Sequence, residues 1–216
     1  MKNTNHSLFD KYEMIKDLGT GSSGSVTLVR HISMDQERAL KKVPKASAFA
    51  ESALSEARLL KSLEHPSIPR IFDFEEDNAF YYIVEEYIDG ETLDSFLLHQ
   101  QLISPGLFFN ICEQLCNVFI YLHTQISTPI IYRDLKPEHI IVCHNKLKLI
   151  DFGVSAYVIQ DGNNFNHYGN IEFSAPECFT EDTITQAADI YSLGQLLQYI
   201  LTFTPNSFSH KFQHII

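Results

Sequence analysis

The chain has 216 residues, enough to bury one sizeable core or two lobes that share a cleft. Its 16 basic and 27 acidic residues leave a formal net charge of -11, which argues against a nucleic-acid binder, because that function needs a basic face. Hydrophobic residues at 44% and charged residues at 20% are ordinary globular composition, and no apolar run reaches the roughly 20 residues of a membrane span.

Residues 12–18 read as a strand leading into a glycine-rich turn, and 25–31 and 38–43 read as two more short strands. Helical period follows over 46–63, where Ala53, Leu54, Ala57, Leu60 and Leu63 lie on overlapping faces before His65-Pro66 ends the pattern. Residues 68–74 and 80–87 flank the turn Glu76-Asp77-Asn78 as strands. The character changes near 86–90, which reads as a hinge. Ser104-Pro105 is an N-cap and first-turn pair that opens a helix with Phe108, Ile111, Leu115, Val118, Phe119 and Leu122 on its apolar face. Short strands are expected over 140–143 and 146–149, and a helix over 185–201. The run 190–203 is interrupted by Ser192, Gln195 and Gln198, so it reads as a buried amphipathic helix.

The four cysteines, Cys112, Cys116, Cys143 and Cys178, form no metal-type CxxC pair, and packing is the reading for Cys112 and Cys116 on one helix face. The first residues lack the apolar core of a secretory signal. A reduced cytoplasmic setting is expected, with no nucleic-acid or membrane partner.

Six short motifs carry the chemistry. The first, Gly19-x-Gly21-x-x-Gly24-x-Val26, provides a tight backbone path and lets amides approach phosphate oxygens. Because the residues after it are strand-like, a hairpin over a nucleotide fits better than a dinucleotide turn, which needs a following helix. The second is Ala39-Leu40-Lys41, a lysine inside an apolar strand, with Glu56 on the next helix as a candidate counter-ion. Lys42 beside it reads as a snorkelling strand residue. The others are Tyr132-Arg133-Asp134-Leu135-Lys136-Pro137-Glu138-His139, Asp151-Phe152-Gly153, Ala175-Pro176-Glu177 and Asp189-Ile190-Tyr191-Ser192-Leu193-Gly194.

This ordered set resembles the catalytic domain of the eukaryotic-type (Hanks-type) Ser/Thr protein kinases, over nearly the whole chain. The resemblance implies an α+β, two-lobed fold, with a strand-rich N-lobe over about 8–87 and a helical C-lobe from about 91 that lacks its last helices. It implies ATP and Mg²⁺ as cofactors, a protein substrate, and transfer of the γ-phosphate to Ser or Thr. Phosphoryl transfer asks a protein mainly for positioning and charge neutralisation. Gly19, Gly21 and Gly24 would cover the phosphates, while Lys41 would contact the α and β groups and pair with Glu56. Leu18, Val26, Ala39 and Ile141 would sandwich the adenine, and main-chain groups of Glu86 and Ile88 would bond its edge. Asp134 would accept the proton of the substrate hydroxyl, Lys136 would neutralise the moving phosphoryl group, and Asp151 would bind Mg²⁺.

Several positions depart from the family pattern. His139 stands where the family has an asparagine ligand of a second Mg²⁺, and imidazole suits transition metals better, which raises Mn²⁺ as the alternative ion. Glu85 takes the place of an apolar or Thr residue behind the adenine, so a carboxylate there needs a partner. Asn170 replaces a bracing threonine. The segment 151–177 has no Thr, and its only serines are Ser155 and Ser174, so activation by phosphorylation there is not expected; Tyr157 and Tyr168 are weak substitutes. The resemblance leaves Glu177 without an arginine partner, and the outer side of the 185–201 helix is expected to be apolar, a surface for a covering partner. The alternative to an active kinase is a pseudokinase that works as a nucleotide-binding regulatory module. A small-molecule phosphotransferase of similar fold is a third reading, against which the Ala175-Pro176-Glu177 segment counts.

Overall fold

The computed structural model describes residues 8–21, 24–157, 170–180 and 184–209. The chain divides into two units, Met1–Glu64 with Pro69–Ile88, and His65–Ile68 with Asp89–Ile216.

The first unit is built on an antiparallel five-stranded sheet. Its strands are β1 (Tyr12–Gly21), β2 (Gly24–His31), β3 (Gln36–Pro44), β4 (Ile71–Glu76) and β5 (Phe80–Glu86), in the spatial order β1-β2-β3-β5-β4. Strands β1 and β2 form a hairpin in which Gly21 faces Gly24. Opposed residues in an antiparallel ladder point the same way, and alternate residues point oppositely. Val26 opposes Lys41 and Lys41 opposes Ile83, while Ala39 opposes Glu85. These five side chains therefore share one face, and Val43, two residues beyond Lys41, continues it. Helix α2 (Ala50–Lys61) covers that face, burying Ala53 and Ala57 against Val43 and Ile83. The opposite face packs Tyr12, Val29, Leu40, Tyr82 and Val84 under Leu8 of α1 (Leu8–Lys11). Lys42 lies on this side, its ammonium 4.0 Å from the centre of the Phe80 ring. It is the amphipathic strand residue the sequence suggests.

Two elements start three or more residues later than the sequence expectation. Helix α2 starts at Ala50 and not 46, because Lys45 to Ser47 form a turn in which Ser47 N–H donates to the Pro44 carbonyl. Strand β4 starts at Ile71 and not 68, because Ile68 is buried in the second unit, where the Leu149 amide donates to Ser67.

The second unit contains α3 (Leu93–Gln100), α4 (Pro105–Ile120), α5 (Glu177–Thr180), α6 (Gln186–Leu201) and α7 (Asn206–Ser209). It also holds a three-stranded sheet of β6 (Glu91–Thr92), β8 (Ile140–Cys143) and β9 (Lys146–Leu149), and the pair β7 (Ile130–Ile131) with β10 (Ala156–Tyr157). Ser104 caps α4, its hydroxyl accepting from Leu107 N–H at 3.2 Å with Pro105 at the first position. The expected apolar face of α4 is buried from Phe108 to Phe119. The helix then widens into a π-helical turn, Tyr121–Gln125, which carries the buried Leu122. Thr185 caps α6. Helix α3 has no counterpart among the sequence expectations, although its cap, Thr92 accepting from Ser95 N–H, is a start signal. On α6, Ile190 and Tyr191 are exposed, which is the apolar outer side the sequence suggests.

Among the described residues no helix is long and apolar enough to cross a membrane. The Cys112 thiol is pushed up to about 12 by burial, with Cys116 adding to the effect, so it packs as a small apolar group.

Candidate active site

In the first unit, Lys41 Nζ stands 2.6 Å from Glu56 Oε2, with the glutamate side chain only 8% exposed. An ammonium held in this way has a fixed direction, which suits it to polyanion oxygens. Val26 and Ala39 flank Lys41 on its face of the sheet, and Leu18 sits at the irregularity of β1 between Asp17 and Gly19. Gly24 has φ +141, and a Cβ there would lie 2.1 Å from the Lys42 carbonyl oxygen, so the backbone demands glycine. At Gly19 a Cβ would meet nothing within 4 Å. The fold thus needs one of these two glycines, and the other leaves open space beside the hairpin. The Glu86 amide donates to the Arg70 carbonyl at 2.9 Å, which removes it from the main-chain groups expected to bond a base. Ile88 follows at the end of the unit.

In the second unit, the loop between β7 and β8 carries Asp134, Lys136 and His139. Its anchor is Asp189 on α6, fully buried. The two carboxylate oxygens accept from Tyr132 N–H and Arg133 N–H, each at 2.8 Å, and His123 Nε2 approaches the first of them at 2.8 Å. A buried carboxylate is tolerated only when so satisfied. The anchoring holds Arg133 at φ +72, a left-handed turn that a non-glycine residue adopts only under such constraint. The Tyr132 hydroxyl donates to the Ile150 carbonyl, its ring lies edge-on to Phe152, and its carbonyl accepts from the Ser155 hydroxyl. His139 C=O accepts from Ile150 N–H at 2.8 Å. The Asp134 loop and the Asp151 segment are therefore tied together at several points.

On this frame Lys136 Nζ lies 3.2 Å from Asp134 Oδ2, both side chains being partly exposed. His139 places Nδ1 3.0 Å from the Asp134 carbonyl oxygen and Nε2 3.4 Å from Asp151 Oδ2. Asp151 has φ +61, and its Oδ1 accepts from Gly153 N–H at 3.3 Å. Ile141 is half-buried on β8, next to the 3₁₀ turn Pro137–His139. Among the described residues no three His, Cys, Asp or Glu side chains converge as a metal cage. An ion held by oxygen donors here would use Asp151, which fits Mg²⁺, whereas the imidazole of His139 does not.

The remaining departures have local accounts. Asn170 Oδ1 accepts from Glu172 N–H at 2.9 Å, so its side chain caps its own turn. Ser155 is engaged with Tyr132 and Ser174 is buried, while Tyr168 lies outside the described residues. Glu85 points to the Lys41 face of the sheet. Sequence reasoning named Asp189 in the last of its six motifs without giving it a role, and it passed over His123. The available signal was a carboxylate in the apolar pattern of a helix, between Ala188 and Ile190.

The protein kinase domain profile matches residues 12–215. The chain belongs to the protein kinase family. It is 31% identical over 201 residues to the serine/threonine-protein kinase PrkC of Bacillus subtilis, covering 89% of this chain and 30% of that protein. It is 32% identical over 220 residues to calcium-dependent protein kinase 4 of Plasmodium falciparum, covering 95% of this chain and 40% of the relative. With the serine/threonine-protein kinase ppk25 of Schizosaccharomyces pombe it shares 32% identity over 188 residues, 84% of this chain and 44% of the other. The chain thus spans less than half the length of these relatives.

Proposed function

We propose that the chain transfers the γ-phosphoryl group of ATP to Ser or Thr hydroxyls of a protein substrate. The observation that carries this reading is the pairing of Asp134 with Lys136 at 3.2 Å on a loop pinned by buried Asp189. Asp134 orients the substrate hydroxyl and takes its proton as the hydroxyl oxygen forms its bond to the γ-phosphorus and the bridging bond to ADP breaks. Lys136 offsets the charge spread over the transferring oxygens. Lys41, oriented by Glu56, holds the α and β phosphates beneath Gly19, Gly21 and Gly24. Leu18, Val26, Ala39 and Ile141 supply apolar contacts to the base, and the main chain of Glu86 and Ile88 supplies the polar ones, without the Glu86 amide. Asp151 would hold the divalent ion, whose chemistry is to neutralise the phosphates. Similarity to Ser/Thr kinases and the lysine at 136 support the Ser/Thr class.

A second reading is favoured by one observation, the imidazole of His139 at a position where Mg²⁺ needs an oxygen donor. It is a pseudokinase that binds nucleotide as a regulatory module. Transfer of labelled γ-phosphate to a generic protein acceptor, with Mg²⁺ and then Mn²⁺, separates the two. Transfer by the wild type that drops about 10³-fold or more in Asp134→Asn is expected for the enzyme. Equal background from both proteins with both ions leaves the pseudokinase reading.

A further inference from the structure

Glu85 is a carboxylate with apolar neighbours on both sides. It lies on β5, an interior strand of the five-stranded sheet, and its cross-strand partners are Ala39 on β3 and Ile71 on β4. Ala39 is buried and Glu85 itself is half-buried. A charged group in such surroundings costs free energy unless hydrogen-bond donors meet it.

Its position limits which donors a ligand can bring. Opposed residues of an antiparallel pair hold their Cβ atoms about 4.5–5.5 Å apart. A ring packed on Ala39 therefore brings its edge within reach of the Glu85 carboxylate, which points to the same face of the sheet. The Lys41 ammonium on that face is already directed by Glu56 at 2.6 Å. A carboxylate has two oxygens with about four lone pairs, so a partner within the fold still leaves it able to accept from a ligand.

We propose that Glu85 selects adenine over 6-oxopurines by accepting one N–H of the 6-amino group. Adenine carries two N–H donors on that nitrogen, so one can meet a main-chain carbonyl and the other this carboxylate. Guanine and hypoxanthine carry an oxygen there, and an ionised carboxylate only accepts, so two lone-pair groups would face each other. A site built to bond a ligand N–H rejects the analogue that lacks it, because its own polar group is then left unpaired. The inference rests on the nucleotide reading above, in which Ala39 contacts the base, and adds to it the side chain that reads the base.

The test measures Kd for the non-hydrolysable imidotriphosphates of adenosine and of inosine, with Mg²⁺, for the wild type, Glu85→Gln and Glu85→Met. Glutamine keeps the shape and can turn an N–H₂ toward an oxygen, while methionine removes the polar group at similar length. The preference of the wild type for the adenine compound should fall about tenfold or more in both variants. A ratio that agrees within about threefold in all three proteins overturns the role of Glu85 and leaves nucleotide binding intact. Equal weakening of both compounds in the variants gives that same constant ratio and assigns the carboxylate to the Lys41 face instead of the base. A wild type that takes both compounds equally overturns the inference as well. If neither compound binds the wild type, the nucleotide reading fails and this inference fails with it.

Discussion

Gly19 and Gly24 occupy equivalent-looking places in one motif, yet the structure uses them differently. Gly24 sits at φ +141 with the Lys42 carbonyl against its α-carbon, so Gly24→Ala combines a clash with a strained backbone. It should cost about 1–3 kcal/mol, read as a lower urea midpoint. Gly19→Ala meets open space and should move that midpoint by less than about 0.5 kcal/mol, its effect appearing in nucleotide affinity instead. Lys41 and Glu56 were legible as a pair because the lysine ends the Ala39-Leu40-Lys41 motif of a strand and the glutamate lies on the helix that follows. The anchoring role of Asp189 was not, although its motif was, since the amides it accepts from lie 57 and 56 residues away in the chain.

At the scale of elements, the structure follows the sequence where a local signal is complete. Strands β8 and β9 occupy the expected residues because β8 is a short run of β-formers and β9 alternates lysine with leucine, on either side of a turn, His144 and Asn145, with both residues at positive φ. Helix α4 begins where Ser104 and Pro105 place it. Ser104→Ala removes an acceptor from the first turn and should cost about 1 kcal/mol, as should Thr185→Ala at α6, both measured by urea unfolding. Expectation failed where tertiary contacts decide. Helix α3 has only Leu93 and Leu97 buried, too short a pattern to register. Residue 49 caps α2 without a side-chain acceptor, so nothing in the sequence announced the later start. Ile68 is apolar enough for β4 but is buried in the other unit.

For the molecule as a whole, the pH response should carry one clear local contribution. His65 Nδ1 accepts from Ser67 N–H at 3.1 Å, and its ring lies against Tyr121. Burial, with Lys148 adding to it, pushes the imidazole below its ordinary value of 6.5. The unfolded chain therefore takes up this proton first as pH falls. The contribution is intact above about pH 6.5 and declines below it. The urea midpoint should fall between pH 7.5 and 5.5, and His65→Asn, which keeps an acceptor for Ser67, should flatten that fall. The Asp189 anchor also has a temporal consequence. Asp189 lies 57 residues beyond Tyr132, whose amide it fixes. During synthesis, Asp134, Lys136, His139 and Asp151 all leave the ribosome before the carboxylate that shapes their loop. Until α6 arrives, the nascent chain carries these side chains without the carboxylate that shapes their loop, so the loop acquires its geometry late and all at once.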